Sequence, residues 1–157
     1  MHSYSLKIDE LLHDDYHLIG IHTALEDYRL AFLLNAFLGL KFKRAPYDLD
    51  FERKLSKASY SVYEYISEKL DYDWFLISNV FKSTKTTHNS GLFNESDTRT
   101  FLVPEKKRVD YFLKIEGDVS YDVIAHCLEV LNKAMPQIIT SYTIEINTLK
   151  SKEFLIF

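Results

Sequence analysis

Glu105 and Asp110 bracket Lys106-Lys107-Arg108, and no other stretch of the chain has residue types better suited to chemistry. Two carboxylates that converge on one proton make a general acid/base pair; converging on an ion, they make a cation site. Here they would sit beside a basic tip. Arg29 and Asn35 are polar exceptions in an apolar stretch and could bind a ligand. Such residues are otherwise satisfied by a carboxylate or by backbone groups, and Asp110 is a conceivable partner for Arg29. Glu105, Asp110 and Arg29 gathered in one cleft would make a small enzyme. The plainer alternative is a charged turn between two strands, with Arg29 and Asn35 in structural roles.

The remaining constellations are weaker. His13, Asp14, Asp15 and His17 are metal-ligating types, but a turn-borne HDDxH lacks the spacing that folds ligands onto one ion. On a single strand His17 and His22 would point to opposite faces. His126 and Cys127 are adjacent, and adjacent helical residues do not face each other, so Cys127 reads as a packing residue. Lys82, Lys85, His88 and Arg99, with Phe93, could contact RNA by phosphate pairing and stacking, although Glu95 and Asp97 dilute that charge. The phosphate-cradling patterns GxGxxG and GxxxxGK(S/T) are absent, as is a GxSxG nucleophile turn. No metal and no cofactor are expected.

The elements that must position these residues are built from a chain of 157 residues, enough for one domain with a real core. Hydrophobic residues make up 46% and aromatics 15%, while 4 Gly and 3 Pro leave few tight turns. A net charge of -4 argues against a general nucleic-acid or membrane-surface binder, without excluding a local basic patch. Cys127 is the single cysteine, so no intrachain disulfide forms, which fits a reducing compartment. Residues Met1 to Asp15 carry no signal-type apolar run, and nothing approaches the roughly 20 apolar residues of a spanning helix. The expected location is cytoplasmic, with no membrane partner.

Alternation places strands at Tyr4–Ile8, Tyr16–His22, Ser59–Ser67, Trp74–Phe81, Thr100–Val103, Val109–Glu116 and Tyr142–Ile146. Phe42 to Leu55 reads as a connection with one short strand. Thr23-Ala24-Leu25-Glu26 has the form of a capping box, which starts a helix at residue 24 that Gly39 stops. That helix carries two apolar stripes, one of Leu30, Leu33, Leu34, Phe37 and Leu38, the other of Tyr28, Ala31, Phe32 and Ala36. Two stripes imply burial on two sides. Ser120 caps a second helix, with Ile124, Cys127, Leu128, Leu131 and Met135 inward and Pro136 as its limit. Residues 82–100 are dominated by Ser, Thr, Asn and charged residues and read as a long structureless loop. Phe154-Leu155-Ile156-Phe157 should pack on the domain or on a partner subunit, because exposed apolar side chains forfeit about 1.5–3 kcal/mol each.

The run Val103-Pro104-Glu105-Lys106-Lys107-Arg108-Val109-Asp110-Tyr111 resembles the signature of the bacterial IPExxxVDY family, with Val103 in place of Ile. Tyr28-Arg29-Leu30-Ala31-Phe32-Leu33-Leu34-Asn35 is similar to that family's first-helix pattern. Asp110 to Ile115 continues the signature, and Leu149-Lys150-Ser151-Lys152 with Leu155-Ile156-Phe157 resembles its ending. The resemblance spans nearly the whole chain. It implies a kind of molecule and carries no activity with it.

These features together predict a single α+β domain over residues 1–157. A mostly antiparallel sheet of about six strands carries two long helices on one face. The two-sided helix and the apolar tail point to a homodimer. The function expected first is a small non-enzymatic cytoplasmic binding or adaptor protein. A carboxylate/Arg enzyme (Glu105, Asp110, Arg29) and an RNA-associated protein are the alternatives. Binding candidates are Arg29, Asn35, Lys106, Lys107 and Arg108.

Overall fold

The computed structural model describes residues 16–53, 56–89 and 92–157. The strand expected at Tyr4–Ile8 and the turn at His13–Asp15 lie outside them. Ten strands are described: β1 (Tyr16–Thr23), β2 (Lys43–Arg44), β3 (Leu49–Arg53), β4 (Ser56–Tyr60), β5 (Val62–Tyr65), β6 (Tyr72–Ser78), β7 (Val80–Asn89), β8 (Leu92–Phe101), β9 (Tyr111–Gly117) and β10 (Ile138–Ile144). Two α-helices accompany them, α1 (Asp27–Leu38) and α2 (Tyr121–Glu129). Six strands form one antiparallel sheet in the order β10-β1-β9-β6-β5-β2. β3 with β4, and β7 with β8, make separate two-stranded ladders. The α+β class and the six-stranded antiparallel sheet are as expected.

The central strands read as continuous apolar runs because the sheet is covered on both faces. On one face Ile19, Ile21, Trp74, Leu76, Leu113 and Ile115 pack against Leu30, Ala31 and Leu34 of α1 and Ile124 and Cys127 of α2. On the other, Leu18, Phe75, Ile77 and Phe112 meet Ala58, Tyr60, Leu102, Val103, Val109, Leu149 and Leu155. Each fully buried Leu, Ile or Phe contributes about 1.5–3 kcal/mol of transfer free energy. Both helices lie on the same face, as predicted, and so leave the second face to the β3–β4 ladder, the Leu102–Val109 connection and the C-terminal tail.

Four expectations need correction. The helices are not long: α1 has 12 residues, and α2 has 9 before passing into a five-residue π turn at Val130–Ala134. The capping box at Thr23 does not form. β1 runs on through Thr23, whose hydroxyl donates to the Gln137 carbonyl at 2.8 Å and accepts the Leu25 N–H at 3.2 Å, so α1 begins at Asp27 after an extended Glu26. Gly39 does end that helix, in the left-handed conformation at φ 65°. Residues 82–100 are not a loop; β7 pairs with β8 from Val80↔Phe101 to Asn89↔Leu92. A ribbon outside the main sheet needs no apolar alternation, so the periodicity that marks a half-buried strand is missing from this stretch.

The fourth correction concerns Lys114, which alternation over Val109–Glu116 sets with Asp110 and Glu116, opposite the apolar residues. It is 2% exposed. The tail lies over it: Lys114 Nζ donates to the Leu155 carbonyl at 2.7 Å and pairs with Glu116 at 2.9 Å. Its ammonium sits 4.6 Å from the Phe157 ring and 4.8 Å from that of Tyr16. Phe157 also packs edge-on against Phe75 at 5.4 Å. Leu155 of the tail is thus buried on the domain, while Ile156 and Phe157 stay 58% and 43% exposed.

Candidate functional site

Asn79, at the joint between β6 and β7, organises the charged stretch. It is fully buried, and every contact it makes replaces a backbone pairing. Its amide nitrogen donates to the carbonyls of Lys106 at 2.9 Å and Val109 at 2.8 Å, while its oxygen accepts the Val103 N–H at 2.8 Å. Its own backbone N–H donates to the Asp110 carbonyl at 3.0 Å, and its carbonyl accepts the Leu102 N–H at 2.9 Å. One side chain thus sets the course of the chain from Val103 to Asp110. Within that course Pro104–Lys106 forms a single 3-10 turn.

The two carboxylates of the stretch leave it in different directions. Asp110 accepts the Thr23 N–H on Oδ2 at 2.9 Å, while its backbone N–H donates to Ile21 at 3.0 Å. Glu105 accepts the Ser151 N–H at 2.7 Å and the Ser151 hydroxyl at 3.0 Å. Burial pushes the Glu105 carboxyl upward. Hydrogen bonds from its own backbone, from the backbone and hydroxyl of Ser151 and from the Lys150 backbone outweigh that and hold it below the ordinary range. Arg29 is exposed on α1 and forms no ion pair among the described residues. Glu105, Asp110 and Arg29 share no contact, and the partner of Asp110 is the Thr23 backbone, not Arg29.

Asn35 is also committed. It donates to the Phe42 carbonyl at 3.1 Å and accepts the Phe42 N–H at 2.7 Å, tying the chain after Gly39 back onto α1. Lys107 and Arg108 are exposed and Lys106 half-buried, so the basic tip faces solvent. Cys127 is 1% exposed, and burial pushes its thiol up to about 12, which removes it as a nucleophile. His17 stacks edge-on with Tyr121 at 6.2 Å, and His22 hydrogen-bonds the Tyr142 hydroxyl at 2.9 Å, so their partners differ. No cluster of His, Cys, Asp and Glu able to hold a metal occurs among the described residues. None of their helices is long and apolar enough to cross a membrane.

The residues that do converge do so around Asp110. An open cleft of about 570 Å³ is walled by Thr23 to Asp27, by Asp110 and Tyr111, by Ser59, Ser61 and Ser78, and by Lys82 and Arg99 at the root of the β7–β8 ladder. Its acidic members, Glu26, Asp27 and Asp110, come from the entry to α1 and from the residue ahead of β9, and its basic members, Lys82 and Arg99, stand directly opposite each other in the β7–β8 ladder. Like charges facing across two strands repel, and neither cation has an ion-pair partner among the described residues. Tyr111 donates its hydroxyl to the Leu25 carbonyl at 2.7 Å at the cleft floor. Burial, then the charges of Asp27, Asp110 and Glu26, push its phenol far above the ordinary value, so it stays a proton donor.

Sequence reasoning named Asp110 but missed Asn79 and the pairing of Lys82 with Arg99. The signal for Asn79 was the polar pair Ser78-Asn79 breaking an apolar run. The pairing had no signal, since it depends on the ladder register. No protein-family model, curated protein or solved structure matches the chain.

Proposed function

We propose that this chain is a non-enzymatic cytoplasmic binding or adaptor protein of the IPExxxVDY type that works as a homodimer. Its partner would be a protein segment carrying charges of both signs, held in the cleft between Asp110 and the Lys82–Arg99 pair. The observation that carries this is a cleft lined by charges of both signs, with two cations placed side by side that have no ion-pair carboxylate among the described residues. A complementary ligand relieves their mutual repulsion. The enzyme alternative loses support because Glu105 and Asp110 each accept backbone N–H groups that hold the fold, and they share no contact.

Exposure on α1 supports the homodimer. Tyr28 is 57% and Phe32 72% exposed, and Ala36 is exposed with them, so three residues of the second stripe are not buried within one chain, while its fourth, Ala31, packs in the core. The RNA alternative rests on Lys82, Arg99, Lys107 and Arg108, all exposed.

The test is affinity capture of the tagged protein from its native lysate, with and without ribonuclease, beside a Lys82→Glu/Arg99→Glu variant. The proposal expects a protein partner that survives nuclease and is lost by the variant. A partner removed by nuclease would favour RNA. A partner that the variant keeps would overturn the assignment to the cleft.

A further inference from the structure

A second cleft, sharing no wall with the first, lies where the end of α1 meets α2 and the sheet. It measures about 410 Å³ and is lined by Leu38, Gly39, Leu40, Tyr65, Tyr72, Trp74, Val123 and Cys127, among others, with Asp122 and His126 as its polar members. A volume in this range, apolar walls and few polar groups are the usual attributes of a small-molecule site. Open space beside Gly39 extends it, since nothing lies within 4 Å of where a Cβ would stand.

Trp74 gives the cleft its chemistry. The residue is 3% exposed, and its indole N–H is shielded from solvent with no acceptor among the described residues. A buried donor without an acceptor is rare in folded proteins and costly, because the water it lost has not been replaced. Tyr72, half-buried, lies against the indole with ring centroids 6.0 Å apart, so a ligand oxygen reaches the shielded N–H only where a neighbouring side chain turns aside.

We propose that this cleft binds a small, flat, uncharged and largely apolar molecule whose carbonyl-type oxygen accepts the Trp74 N–H. The aromatic walls select a flat apolar body. The orphan donor requires an acceptor, and Asp122 disfavours an anionic one. The Cys127 thiol in the wall is protonated at neutral pH, so binding is non-covalent.

The chain carries one tryptophan and one cysteine, both in this cleft, so each is a site-specific reporter. The test titrates the full chain with acetophenone and with ethylbenzene, which has a similar shape but no acceptor. Trp74 emission and the resonance of isotope-labelled Cys127 are followed. The proposal expects both signals to saturate with acetophenone, at about tenfold higher affinity than with ethylbenzene, the usual worth of one hydrogen bond. In Trp74→Phe, followed by ligand-observed NMR, the two probes should bind equally. No saturation by acetophenone at millimolar concentration, or equal affinity for the two probes in the wild-type chain, would overturn it. That comparison stands even if the variant fails to fold.

Discussion

Glu105 and Ser151 are joined twice, the carboxylate accepting the Ser151 N–H at 2.7 Å and its hydroxyl at 3.0 Å. The pair ties the charged stretch to the segment that leads into the C-terminal tail. Asp110, at the other end of the stretch, ties it to Thr23 ahead of α1. Two carboxylates that look like acid/base partners in the sequence are two clamps pulling on different parts of the fold.

The Glu105 clamp predicts a pH dependence. Its carboxyl is lowered in the folded state, so its contribution is complete above the unfolded pKa, near the usual 4.5. It is lost as the pH falls through the lowered folded value. Glu105→Gln should remove this slope in acid and cost about 0.5–1 kcal/mol at neutral pH, a small figure because the group is exposed. Thermal melts from pH 7 down to about 3 check it; identical acid slopes in the two proteins would contradict it.

Asn79→Ala should be among the most destabilising single changes, at about 2–3 kcal/mol, because it strands the Val103 N–H and the Val109 carbonyl and leaves the Lys106 carbonyl with the Val109 N–H alone. Asn79→Asp should be no milder, since it presents an oxygen to those two carbonyls. Urea unfolding measures both; a loss below about 1 kcal/mol for the alanine variant would mean that the loop holds itself.

Asn132 guards an edge. From the π turn after α2 it accepts the Ser141 N–H at 2.9 Å and donates to the Ser141 carbonyl at 3.1 Å, occupying backbone groups of the edge strand β10. Asn132→Ala should free them, costing about 1–2 kcal/mol and raising concentration-dependent aggregation. Light scattering against concentration is the measurement, and an unchanged profile would dismiss the guarding role.

The exposed stripe of α1 predicts that Phe32→Glu converts a dimer to a monomer without loss of fold, Phe32 being 72% exposed. Sedimentation and thermal melting together read this. A well-folded wild-type monomer at micromolar concentration would end the homodimer proposal.

Periodicity in the sequence reached the sheet. The runs Tyr16–His22, Trp74–Phe81 and Val109–Glu116 carry their own strand signal, and β1, β6 and β9 form from them because side-chain alternation and burial act over a few neighbouring residues. The stop at Gly39 was equally local, a left-handed residue that favours glycine. The strand at 80–89 was not legible, because its partner at 92–101 lies outside the main sheet and leaves no apolar alternation to read.

By itself, then, the sequence determined the α+β class, most of the central strands, the inward stripe of the second helix and the burial of Cys127. Each follows from apolar spacing or local backbone preference. Only the tertiary structure decided what the polar residues do. Asn35, Asn79 and Asn132 each answer backbone groups brought near by the fold. Lys114 is buried because a distant tail lies over it, and Lys82 meets Arg99 only through a register. A polar side chain takes its role from the partner within hydrogen-bond reach, and that partner is set by three-dimensional packing rather than by chain neighbours.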